Sequence, residues 1–136
     1  MKQERIYKKH FTLEEANQLV PQFTQYFDEI FTLHDIMKKG RKQKELVTQG
    51  LSKNGGWSHS AEYLENSFKL SKILDKILAT GAVVKDLQRG LIDFPHLSEG
   101  KEIFLCWEMG EKEIKFWHDL ESGYPGRQSL YLDENG

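Results

Sequence analysis

Glu111 and His118 stand seven residues apart in GEKEIKFWHD, a carboxylate followed by an imidazole, with Asp86 before them and Arg127 after them. On a helix seven residues make two turns with an angular offset of only about 20°, so both side chains can face one side. A carboxylate and an imidazole placed together, near a further acid such as Asp86 or Asp93, can ligate a divalent metal or work as a general base with its orienting partner. The separation is a weakness, because two turns rise about 10.5 Å, too far for both to bind one ion unless one reaches back. The more compact pair of ligands at i and i+4 is absent. The competing reading gives Glu111 to the helix dipole, worth about 0.3–1 kcal/mol in a first turn, and makes His118 a satisfied, half-buried neighbour of Trp117. Arg127, after GYPG, presents a planar fork that matches a carboxylate or phosphate bidentately. Its competing partner is an acid of its own fold, Asp119 or Glu121. The catalytic candidates are thus His118, Glu111, Asp86 and Arg127, the metal candidates are His118 and Glu111, and the one cofactor implied is a divalent metal.

Other reactive side chains read as structural. Cys106 sits in a strand-like run with no histidine close in sequence and no helix dipole to lower its pKa, which makes it a small buried hydrophobe. His34 falls on the apolar stripe of a helix, His59 near a helix start and His96 beside a turn. Each of these positions suits a structural or solvated histidine. Trp57, beside SKNGG, either covers a pocket or partner surface or anchors its loop to the core.

The elements that must position these groups are of two kinds. Thr12 and Glu15 form a capping box with Phe11 as a hydrophobic staple, and Leu13, Ala16, Val20, Phe23, Phe27, Ile30, His34 and Met37 then recur at helical spacing. Pro21 predicts a kink or short break, Gly40 a stop, and the residues to Gly56 a flexible polar loop. A second helix is predicted over 60–80, with Tyr63 or Leu64, Ser67, Leu70, Ser71, Leu74, Ile77 and Leu78 as its stripe and Gly81 as its cap. The two helices read as an antiparallel hairpin that buries too little alone. After Gly81 the pattern becomes extended. Residues 82–87, 91–97 and 101–109 predict a three-stranded antiparallel meander, with Gly90 left-handed, Leu87 facing Leu91 and Lys85 facing Asp93. A short C-terminal helix is predicted over 111–121. The fold class is α+β in one domain: two long antiparallel helices, a small sheet and that last helix.

Composition narrows the partners. Residues 1–60 hold ten Lys/Arg against seven Asp/Glu, residues 61–136 nine against fourteen, and the whole chain carries −2. A basic front and an acidic back can attract within or between chains. The balance argues against nucleic acid, whose partners carry a strongly basic face. The basic run Lys38, Lys39, Arg41, Lys42 and Lys44 fits a solvated helix C-terminus. One cysteine excludes an intrachain disulfide, MKQERIYKKH has no apolar stretch behind it, and no apolar run reaches the roughly 20 residues of a bilayer span, all of which points to the cytoplasm and away from the membrane.

Four motifs carry a resemblance: FTLEEANQLVP, GAVVKDLQRGLIDFP, LCWEMGEKEIKFWH and GYPGRQ, in this order. Together they resemble an uncharacterised prokaryotic family catalogued as domain of unknown function 2203. The resemblance supports the domain boundaries and a bacterial cytosolic setting, and it transfers no catalytic residue. Two functions follow from the residues. The first is a small binding or assembly module, a homodimer through the helical hairpin, with a small-molecule or protein partner on the sheet side. The alternative is a small metal-assisted or acid-base enzyme with its site between the sheet and the last helix.

Overall fold

Glu15 donates its backbone N–H to Thr12 Oγ1 at 3.0 Å, and Thr12 N–H donates back to Glu15 Oε1 at 2.9 Å, closing the capping box that starts the first helix. The computed structural model describes the backbone of residues 5–48 and 56–130 and the side chains of residues 5–40 and 60–130. Helix α1 spans Leu13–Thr48 and helix α2 spans Gly56–Ala79. Among the described residues, no helix is long and apolar enough to cross a membrane. The chain divides into two compact units, Met1–Gln25 with Ile77–Gly136, and Tyr26–Lys76.

In the second unit the buried stripe comprises Phe27, Ile30 and Leu33 of α1 with Asn66 and Ile73 of α2. The predicted stripe of α1 holds through Ile30 and then turns to Leu33, leaving His34 exposed. Gly40 does not stop α1, and Pro21 does not break it. The basic run therefore begins inside a helix rather than at its end, and Lys39 pairs with Asp35 one turn back. The side chains of Arg41, Lys42, Lys44, Trp57 and His59 and the loop expected at SKNGG lie outside the described residues. On α2 Ile77 is buried as expected, but the rest of the buried face is rotated from the predicted one: Leu64 and Leu78 are exposed, while Asn66 and Ile73 are buried.

The first unit is built on one antiparallel sheet of five strands in sequential order. They are β1 Val83–Asp86, β2 Leu91–Ser98, β3 Lys101–Glu108, β4 Phe116–Asp119 and β5 Gln128–Ser129, with a 3-10 turn at Tyr124–Gly126. Gly81 caps α2 at φ 97°, and an added Cβ would lie 2.8 Å from Lys9 Cγ, so the turn needs glycine twice over.

Two expectations fail here. The sheet has five strands rather than three, and the helix predicted over 111–121 does not exist. Its backbone is committed elsewhere: Glu111 C=O accepts the Trp107 indole N–H at 2.8 Å, and Ile114 N–H donates to Asn17 Oδ1 at 2.7 Å. The aromatic run Phe116-Trp117-His118 then suits a strand, and it pairs with the open edge of β3 through Cys106↔Phe116 and Phe104↔His118. The first hairpin is also shifted. Val83 faces Asp93, Val84 faces Ile92 and Asp86 faces Leu91, with an irregularity between Val84 and Asp86 that takes Lys85 out of the expected pair with Asp93. Gly90 is left-handed as predicted, at φ 69°.

Side chains alternate across the sheet, and the register assigns them. Ile92, Phe94, Ile103, Leu105 and Trp107 share one face, where Phe23 of α1 stacks on Phe94 at 5.6 Å and meets Trp107 edge-on at 6.4 Å. Asp93, Phe104, Cys106, Phe116 and His118 share the other. Both faces are buried along the middle of β3.

Candidate functional site

Three consecutive strands each carry one polar group into that second face. Asp93 lies in the apolar run Leu-Ile-Asp-Phe-Pro of β2, Cys106 in Phe-Leu-Cys-Trp of β3, and His118 in Phe-Trp-His of β4. Register places Asp93 directly opposite Cys106, and His118 opposite Phe104, one step along the same face. A ligand atom from each of the three lies within 4.8 Å of the others. Relative exposures of 1% for Asp93, 0% for Cys106 and 1% for His118 put the cluster in the interior.

Hydrogen-bond chemistry defines the proton positions. His118 Nδ1 is 2.7 Å from the Asp119 carbonyl, which can only accept, so Nδ1 carries a hydrogen. His118 Nε2 is 3.0 Å from Asp93 Oδ1. One proton must therefore lie between the imidazole and the carboxyl. Burial raises the Asp93 pKa above the ordinary carboxylate value, against the opposing pull of His118, Lys85 and the Cys106 thiol. Asp93 Oδ2 has no hydrogen-bond partner among the described residues. The Cys106 thiol is near enough for it and the carboxyl to influence one another. Burial first, and the Asp93 charge second, push the thiol up to about 12 despite Arg127. It is a poor nucleophile there.

Arg127 borders the cluster. Its Nε donates to Cys106 Sγ at 3.3 Å, and Nη2 donates to the Cys106 carbonyl at 3.3 Å and to Glu111 Oε1 at 2.5 Å. The guanidinium also lies over the Phe116 ring at 4.1 Å. The internal acid of Arg127 is thus Glu111, not Asp119 or Glu121. Glu111 itself is in no helix; its Oε1 also accepts the Glu108 N–H at 2.6 Å. Asp86 stands apart as a turn former, its Oδ1 accepting the N–H groups of Gln88 and Arg89 at 3.0 and 3.1 Å. So the four candidates divide: His118 joins Asp93 and Cys106, Glu111 and Arg127 pair at the border of that cluster, and Asp86 belongs to neither. Asp93 and Cys106 were read from the sequence as a cross-strand acid and a core hydrophobe. The signal that could have found them is a single polar residue inside each of two apolar runs, Leu-Ile-Asp-Phe-Pro and Phe-Leu-Cys-Trp.

A second polar knot ties the N-terminal segment to the sheet. Glu102 accepts Ile6 N–H at 2.8 Å, Tyr7 N–H at 3.1 Å and a hydrogen bond with His10 Nε2 at 2.9 Å. Burial opposes the Glu102 charge, but these three donors outweigh it and bring its pKa down to about 2. Tyr7 then packs edge-on against Phe104 at 5.4 Å, on the face that holds the cluster. His96, as expected, has a structural partner: its Nδ1 is 2.6 Å from the Phe11 carbonyl.

No curated protein and no solved structure matches the chain. A family model described as "uncharacterized conserved protein (DUF2203)" matches residues 9–130. That span includes the capping box, all five strands and every residue of the buried cluster, and the chain accordingly belongs to the DUF2203 family.

Proposed function

We propose that this protein is a self-associating binding module of the cytosol, where a lone thiol stays reduced, and that its contact surface is the outer face of α2. One observation carries this reading. Leu64 and Phe68, one turn apart, are 69% and 62% exposed, while the opposite face of the same helix buries Asn66, Ile73 and Ile77. Adjacent exposed apolar side chains on a regular helix suit a partner helix.

The charges around this stripe favour a second copy as that partner. Glu62 and Glu65 precede Phe68, and Lys69 and Lys72 follow it, all exposed. Two such helices packed antiparallel about a two-fold near Phe68 bring each acidic half beside the other's basic half. Leu64 of one chain then lies on the aliphatic stem of the other's Lys72. Such an isologous contact is the commonest route to a homodimer.

Sedimentation velocity across a concentration series tests the proposal. The native chain is expected to dimerise, and Phe68→Glu or Leu64→Glu to give a monomer with an unchanged circular-dichroism spectrum, because neither side chain is part of the core. A native chain that stays monomeric at concentrations on the order of 0.1 mM, equivalent to about −5.5 kcal/mol of association, overturns it.

A further inference from the structure

The polar cluster of the sheet has a composition that burial alone does not explain. An acid, a thiol and an imidazole are gathered at 1%, 0% and 1% exposure, and one acid oxygen, Asp93 Oδ2, has no partner among the described residues. A buried polar atom left unsatisfied costs about 1–3 kcal/mol. We propose that Asp93, Cys106 and His118 form a buried site for a divalent cation of the zinc class, each supplying one ligand atom.

The donor set fits that ion, since nitrogen, thiolate sulfur and carboxylate oxygen are the ligands of zinc sites. Zinc holds such atoms at about 2.0–2.3 Å, which separates neighbouring ligands by roughly 3.2–3.8 Å. Nε2 and Oδ1 are already 3.0 Å apart, and all three ligand atoms lie within 4.8 Å, so modest side-chain rotation closes the set.

The surroundings fit as well. A metal-bound histidine characteristically donates its other ring N–H to a carbonyl or carboxylate, as His118 Nδ1 does to Asp119. Arg127 Nε–H points at Cys106 Sγ, a hydrogen bond that favours a thiolate, while Glu111 balances the guanidinium charge. On binding, the thiol proton and the proton shared by Asp93 and His118 leave to solvent. Two anions, a neutral imidazole and a dication then sum to zero charge in a place closed to water. The site is closed to solvent at 0–1% exposure, so the ion acts on stability rather than on a substrate. This inference is independent of self-association through α2.

The test is refolding of the full chain with Co²⁺, removal of free ion, metal analysis and absorption spectroscopy. Stoichiometric cobalt with a thiolate-to-cobalt charge-transfer band is expected, together with its displacement by Zn²⁺ and a higher melting temperature than the chain refolded in chelator. Cys106 is the single cysteine, so the band reports on this site in the native sequence, whether or not any variant folds. Cys106→Ser is expected to lose the band, and His118→Gln to lose the bound ion. Refolded native protein without stoichiometric cobalt, or cobalt bound without the thiolate band, overturns the proposal, as does a band that survives in Cys106→Ser.

Discussion

His118 on β4 reaches across β3 to Asp93 on β2, its Nε2 3.0 Å from Oδ1, so that one polar contact spans three strands inside the sheet. Removing one partner leaves the other desolvated and unpaired, which costs about 3–5 kcal/mol for buried pairs. His118→Ala is therefore expected to lower the unfolding free energy, read from urea denaturation in chelating buffer, by that amount. Asp93→Asn, which keeps the size and offers an amide N–H that can donate to His118 Nε2, should cost less. Replacing both by leucine should recover much of the loss, because the cost lies in the orphaned group rather than in the missing contact. Equal losses in the single and double replacements would show that packing, not the polar pair, decides stability here.

Glu111 and Arg127 form the only contact that ties the segment after β3 to the turn before β5 by ion pairing among the described residues. The side chains are 25% and 13% exposed, and a charge-assisted hydrogen bond in that setting is worth about 1.5–3 kcal/mol. Glu111→Gln is expected to cost the lower part of that range, since an amide oxygen can still accept from Glu108 N–H and Arg127. Arg127→Met, which also strips the donor from Cys106 Sγ and the stack on Phe116, should cost more. Chemical denaturation monitored by tryptophan fluorescence orders the two, and a larger loss in Glu111→Gln would contradict this account.

Glu102 links stability to pH. Its pKa falls from 4.5 to about 2 on folding because His10 and the Ile6 and Tyr7 amides stabilise the carboxylate against the cost of burial. Between those values the unfolded chain binds more protons than the folded one, so stability rises with pH. The contribution is complete above about 4.5 and is lost as pH falls toward about 2. Thermal melts from neutral to acid pH should show a steep decline in this window. Glu102→Gln should flatten that decline and lower stability at pH 7, freeing the segment from Ile6 to His10, which limited proteolysis would detect.

Short-range rules were legible in the chain. The capping box of Thr12 and Glu15, the stripe from Ala16 to Ile30, the glycine cap at Gly81 and the strands on either side of Glu99-Gly100 follow from side chains a few residues apart, and the structure contains each of them. Composition likewise required that Cys106 have no disulfide partner. What happens after Gly110 depends on groups far away. Asn17, 97 residues earlier in sequence, takes the Ile114 N–H, and the free edge of β3 recruits Phe116–Asp119, so a segment whose local spacing suits a helix becomes a strand. That exchange decided the site. As a helix, the segment would have set His118 on the same face as Glu111, two turns on; as a strand in this register, it delivers His118 to Asp93 and Cys106 and gives Glu111 to Arg127. Periodicity along a chain constrains which residues share a face, whereas the partner across the sheet is chosen by register and by long-range backbone hydrogen bonds, and these exist only once the tertiary structure has formed.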